Sequence, residues 1–193
     1  CGDTPGQAGV AAMRRRGLSI ADIAILVVAA DDGVRPQTKE VITYLKERKL
    51  PVIVAINKID KPDAKPERVK QELAEHGILF EEWGGDTICN EISAKNNINI
   101  DKLLESILLV SEVDDFRADQ KRDGLAVVLE SHLDPQKGPI ATVLIRTGSL
   151  KVGQDIVAGK TFGRIRRIED FTGRSLESAG PSVPATLYGF HDT

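Results

Sequence analysis

An α/β fold, an incomplete doubly wound sheet followed by a small antiparallel β-barrel, is what the sequence predicts, on three observations. Up to Phe116, short apolar runs rich in β-branched residues alternate with stretches of helical period. Residues 117–123, Arg-Ala-Asp-Gln-Lys-Arg-Asp, are charged and without period. Beyond them come short alternating runs broken by Gly and Pro, with no helical period. The expected domains are therefore 1–116, a linker at 117–123, and a barrel over 124–193 truncated at its C-terminal end.

Residues 23–29 (Ile-Ala-Ile-Leu-Val-Val-Ala) and 52–56 (Val-Ile-Val-Ala-Ile) are continuous apolar runs, which suits strands of a parallel sheet buried on both faces. Residues 90–93 form a weaker third strand. A helix is expected over 36–49, with Pro at its start and Val41, Ile42 and Leu45 on one face. A second runs over 66–76 and is stopped by Gly77. A third begins near Ile100, where Leu103, Leu104, Ile107 and Leu108 follow the spacing of a core stripe. Strand and helix alternate, so the connections should be right-handed. In the second domain the strand candidates are 125–133, 140–147, 154–158 and 164–170.

The chain has 193 residues, 41% of them hydrophobic, enough for one sizeable core or two smaller ones. No apolar run is long enough to span a membrane. The formal charge of −3 divides into about −4 over 1–123 (18 basic, 22 acidic side chains) and about +1 over 124–193 (8 basic, 7 acidic). Neither half has the basic excess of a dedicated nucleic-acid binder. Two cysteines, Cys1 and Cys89, cannot build a disulfide framework, and with three scattered histidines they give no zinc spacing. A reducing, cytosol-like compartment is expected. The opening Cys-Gly-Asp-Thr-Pro-Gly has no initiator Met and reads as a cut.

Ligands of open α/β sheets sit beyond the carboxyl ends of the strands, and three short motifs lie at such ends. In Asp3-Thr4-Pro5-Gly6, an Asp can hold Mg²⁺ through water, and a Gly lets its N–H approach a terminal phosphate. Alone, such a sequence is commonly a plain turn. Asn57-Lys58-Ile59-Asp60 follows the 52–56 strand directly. Its Asp60 carboxylate can accept from the ring N–H and exocyclic amine of guanine, a donor pair adenine lacks. The Lys58 stem can lie along the base, and Asn57 can tie this loop to a phosphate loop. Hydrogen bonds to a charged group contribute about 1.5–3 kcal/mol each, enough in a pair to separate GTP from ATP. The bland alternative is an N-cap in a solvated loop. Ser93-Ala94-Lys95 follows the third strand, where the Ala94 N–H could donate to guanine O6 and the Lys95 stem could cover the other face of the base. Their order and shared position at strand ends, more than any one motif, indicate guanine-nucleotide binding.

With these motifs in place, the chain resembles the bacterial translation initiation factor 2 family of translational GTPases. The resemblance is carried by residues 22–38, 54–62 and 69–77, and by 81–87 (Glu-Glu-Trp-Gly-Gly-Asp-Thr), a segment that guanine binding does not require. It continues through Gly138-Pro-Ile-Ala-Thr-Val-Leu and Leu150-Lys-Val-Gly into Ala179-Gly-Pro-Ser. It implies the C-terminal part of a P-loop-GTPase-type domain followed by the second domain of translational GTPases. It also implies GTP or GDP with Mg²⁺ as cofactors, ribosome binding chiefly through the small subunit and its RNA, hydrolysis that permits release, and a cytoplasmic setting. Initiator tRNA would be bound only by domains beyond this chain. By carry-over, Asp3, Thr4, Pro5 and Gly6 lie at Mg²⁺ and the γ-phosphate, with Asp3 as the metal residue, and Asn57, Lys58, Asp60, Ser93, Ala94 and Lys95 surround the base.

Two departures qualify the resemblance. Gln7 stands where the family has a catalytic His, and Gln orients water in other GTPases, which makes it the catalytic candidate. No Gly-x-x-x-x-Gly-Lys-Ser/Thr loop precedes Asp3, and Gly153 to Thr161, the nearest imitation, has five residues between its glycines and reads as a β-turn. A nucleotide-free ribosome-binding module, or another translational GTPase of the elongation type, are the rival readings. Arg164, Arg166 and Arg167 are candidates for ribosomal RNA phosphates, with a solvated barrel face as the alternative.

Overall fold

The computed structural model describes residues 20–191 and divides into two compact units, Cys1–Phe116 and Arg117–Thr193. In the first unit, β1 (Ala24–Ala29), β2 (Val52–Asn57) and β3 (Ile88–Glu91) form a parallel sheet in the order β1-β2-β3. Leu26 pairs with Val54, and Val54 with Cys89, so the three carboxyl ends come level on one edge. Helices α1 (Pro36–Arg48), α2 (Pro66–Glu75) and α3 (Ile100–Val113) connect and flank the strands.

Val54, Ile56, Leu26, Val28, Ile42, Val69, Leu73 and Phe80 share one core. Ile53 to Ile56 of β2 are wholly buried, as a strand covered on both faces must be. β1 departs from that expectation: Ala24, Leu26 and Val28 are buried, whereas Val27 is 57% exposed. Both α1 and α2 start on a Pro whose missing N–H would have no helical partner. The end of α1 is closed by Lys49 in the left-handed region (φ 52°), with its N–H turned back on Leu45 and Lys46. The expected core stripe of α3 is corrected by the structure. Leu104 and Leu108 are 53% and 63% exposed, and the packed side carries Ser106, with half-buried Leu103 and Ile107 flanking it. The reason is polar: Asn90 of β3 donates to the Ser106 hydroxyl at 2.9 Å, and Ser106 donates to Lys102 O at 2.9 Å. This buried pair needs a partner on each side, and it fixes the helix rotation.

The second unit is a curled antiparallel sheet, β4 (Leu125–Asp134), β5 (Gly138–Thr147), β11 (Pro184–Phe190), β8 (Thr161–Glu169) and β7 (Asp155–Ala158) in that order. β9 (Ser175–Leu176) adds to β8, and β6 (Leu150–Lys151) pairs with β10 (Ser178–Ala179). The four expected strands are present. β11 is absent from the expected set, yet it lies centrally and contributes Ala185, Leu187 and Phe190 to the core with Val143, Ile145, Ile165 and Ile168. Its terminal Pro184 and its Gly189 interrupt the pattern that marks a strand. Gly189 is nevertheless required: its φ is +120°, and a Cβ there would lie 2.0 Å from Arg164 O.

Candidate guanine-base site

The level carboxyl ends of β2 and β3 place Asn57 and Ser93 side by side. Ile59 N–H donates to Ile92 O at 3.3 Å and Ile92 N–H to Ile56 O at 2.8 Å, so the two strand exits are joined by backbone before any side chain acts. Ser93, wholly buried, is locked by a reciprocal backbone pair with Ile98.

Two side-chain ties then cross between the loops. The Ser93 hydroxyl donates to Asp60 Oδ1 at 2.6 Å and accepts from Asn96 N–H at 3.2 Å. Asn57 Oδ1 accepts from Lys58 N–H at 2.7 Å and from Ala94 N–H at 3.0 Å. Asn57 thus binds loops 57–60 and 93–95 to each other, and in this structure the Ala94 amide donates to Asn57. The Asp60 carboxyl is held below its ordinary range, first by the Ser93 hydroxyl, with Lys95 and Lys61 adding attraction. Asp60 is therefore a charged acceptor at neutral pH, aimed by a buried hydroxyl.

Lys58 adopts a left-handed backbone (φ 66°), which a non-glycine residue occupies only when its surroundings enforce it. Its ammonium lies 3.6 Å from Asp31 Oδ1, and Lys61 forms an ion pair with the other oxygen of the same carboxylate. Asp31 was not among the sequence candidates. It stands two residues past β1, whose last residue Ala29 pairs with Asn57, and the only signal was an acidic residue just beyond an apolar run. Hydrogen bonding from Lys61 holds the Asp31 carboxyl low and raises the Lys61 ammonium. The loop carrying Asp31 is itself anchored, as Val34 N–H donates to Glu72 Oε2 at 2.9 Å and Glu72 pairs with Arg68 at 2.8 Å.

Asp3, Thr4, Pro5, Gly6 and Gln7 lie outside the described residues. No cluster of three or more His, Cys, Asp or Glu suited to a metal occurs among the described residues. Gly153 to Thr161 is a hairpin: β7 and β8 pair from Asp155–Arg164 to Ala158–Thr161 around Gly159 and Lys160. The arginine cluster divides. Arg164 donates to Gly153 O at 2.7 Å and lies 3.8 Å from Asp155. Arg167 pairs with Glu169 at 2.6 Å, donates to Ser175 at 3.0 Å and covers the Tyr188 ring. Arg166 is exposed and has no such partner among the described residues.

Residues 2–112 match the family model of the elongation factor Tu GTP binding domain, and residues 123–193 that of elongation factor G domain 2. The chain is 54% identical over 190 residues to translation initiation factor IF-2 of Clostridium botulinum (strain Alaska E43 / Type E3), covering 98% of this chain and 28% of the relative. To that of Enterococcus faecalis it is 55% identical over 190 residues, with 98% and 24% covered. The chain thus spans about a quarter of the length of these curated relatives. Two solved structures share the fold at 22% identity. Elongation factor SelB of Methanococcus maripaludis, in complex with a GTP analogue, has a TM-score of 0.72 and covers 99% of this chain and 42% of that one. GDP-bound aIF5B of Aeropyrum pernix has a TM-score of 0.71, with 88% and 37% covered. With the cross-tied loops at the ends of β2 and β3 and the matched residues 2–112, the chain belongs to the translational GTPases of the elongation factor Tu GTP-binding-domain family.

Proposed function

We propose that this chain supplies the guanine-recognising loops of a translation initiation factor that binds GTP and GDP with Mg²⁺ and works on the ribosome. The observation that carries it is the pair of side-chain ties between loops 57–60 and 93–95, supported by the identity to initiation factors. The residues present fit the base. A carboxylate held ionised by a buried Ser93 suits the two edge donors of guanine, and the Ala94 amide, bonded to Asn57 in this structure, is the donor that would turn to guanine O6. Lys58 and Lys95 would cover the two faces of the ring. Asp3 and Gly6 would meet Mg²⁺ and the terminal phosphate, with Thr4 and Pro5 in the same motif, and the ion would supply charge neutralisation there. Gln7 would orient water for hydrolysis.

In the second unit Arg166, with Arg164 and Arg167 beside it, would approach phosphates of small-subunit ribosomal RNA. Initiator tRNA would be engaged by parts of the relatives outside the matched span, and the setting is cytoplasmic.

A chimera in which residues 1–193 replace the aligned segment of the Enterococcus faecalis factor tests the reading by titration with GDP and ADP. Tight GDP binding with ADP weaker by at least about a hundredfold is expected from two charged hydrogen bonds. Equal affinity for the two nucleotides overturns it.

A further inference from the structure

Asp31 is a charged group whose use the base ties leave unexplained. Its side chain is 10% exposed, and Oδ1 is buried without a hydrogen-bond partner among the described residues. A buried carboxylate oxygen left so is unfavourable unless it serves something, and the atoms around it show what that is. Lys61 holds Oδ2, while the Lys58 ammonium stands 3.6 Å from Oδ1, outside hydrogen-bond distance but inside electrostatic reach. The Lys58 backbone, left-handed and pinned through its N–H to Asn57, limits where the stem can run. With one end fixed by the turn and the other drawn to Asp31, the methylene chain is stretched between the β2 exit and the β1 exit.

We propose that Asp31 is a positioning residue for nucleotide binding, which draws the Lys58 ammonium so that the Lys58 stem lies flat across the purine beside Asp60. This rests on the base-site reading above. A covering stem touches the face of the ring and is indifferent to its edge. Asp31 therefore sets affinity for any purine that fits, while Asp60 sets the choice among purines. Removing the Asp31 charge weakens GDP and IDP, whose base lacks the exocyclic amine, by the same factor.

The chimera is titrated with GDP and IDP as wild type, Asp31→Asn, Lys58→Met, Lys61→Met, and as the doubles of Asp31→Asn with each lysine change. Thermal midpoints are recorded alongside. Asp31→Asn is expected to weaken both nucleotides about three- to tenfold, with their ratio unchanged. It adds nothing in the Lys58→Met background, and it retains its effect in the Lys61→Met background. An equal loss with Lys58→Met present shows action through Lys61 or the fold and overturns the proposal, as does a loss confined to GDP or no loss at all. A wild-type chimera that binds neither nucleotide overturns the base-site reading and this proposal with it. Normal wild-type binding with an unaffected Asp31→Asn overturns this proposal alone.

Discussion

The loops after β2 and β3 and the arginine strand β8 look alike in sequence, each a short polar cluster beside apolar runs, but their side chains are committed differently. In the loops, the ties run from one motif to the other, Ser93 to Asp60 and Ala94 to Asn57, and Asp60, Ala94 and Lys95 remain exposed. On β8, two of three arginines are engaged within their own unit, Arg164 at Gly153 and Arg167 at Glu169. Hydrogen bonds between motifs organise a site for something else, whereas hydrogen bonds from a cluster into its own sheet organise the sheet.

Glu169→Ala gives the sharpest break. Glu169 is buried, pairs with Arg167 and accepts from the Tyr188 phenol, a hydrogen bond that raises the phenol's pKa. Losing one partner of such a pair costs about 3–5 kcal/mol, less where water reaches the half-exposed Arg167. Urea unfolding followed through the second unit should show a loss of about 3 kcal/mol, with the GDP to ADP preference of the chimera unchanged. A shifted preference would contradict the division of labour drawn here.

Ser93→Ala comes next and acts on the other side of the comparison. It removes the donor that aims Asp60 and leaves Asn96 N–H without its acceptor. Guanine-nucleotide affinity should fall about tenfold, measured by calorimetry on the chimera.

Arg166→Ala should reduce the salt dependence of ribosomal RNA binding by about one unit of slope, and Arg164→Ala by less, because Arg164 is already held by Gly153. Equal slopes for the two variants would erase the distinction.

The smallest effect is one of pH. The Asp60 pKa is depressed below its ordinary 3.8, so binding and stability owed to its charge are fully present above that value. They are lost only as pH falls through the lower folded pKa. The ratio of GDP to ADP affinity should stay level from neutral pH to about 5, since phosphate protonation is common to both nucleotides and the Asp60 carboxylate remains charged throughout.

The cross-tied loops were legible in sequence as strand ends, Asn57 closing β2 and Ser93 standing two residues past β3. The partner of Asn57 was not. The tie from Asn57 to Ala94 shows only in the structure, since a side-chain amide bonds whichever backbone group its strand register brings near, and the tie to a phosphate loop stands as a separate expectation. Asp31 was missed for a related reason: its link to Lys58 and Lys61 crosses from β1 to β2, and spacing along the chain does not show it. The α3 stripe was not legible because the helix turns Ser106 to β3, where Asn90 would otherwise be buried without a partner, and the apolar spacing alone does not show that pairing. β11 was hidden by Pro184 and Gly189, the latter needed where two strands meet too closely for a Cβ.

The central claim, that Asp60 reads the edge of guanine, is tested most directly by Asp60→Asn in the chimera titrated with GDP and XDP. An amide at this position offers a donor in place of an acceptor, which matches the exocyclic oxygen of xanthine and opposes the amine of guanine. The account predicts that GDP weakens by at least about a hundredfold while XDP becomes the preferred ligand; GDP binding unchanged, with XDP no better than before, would contradict it.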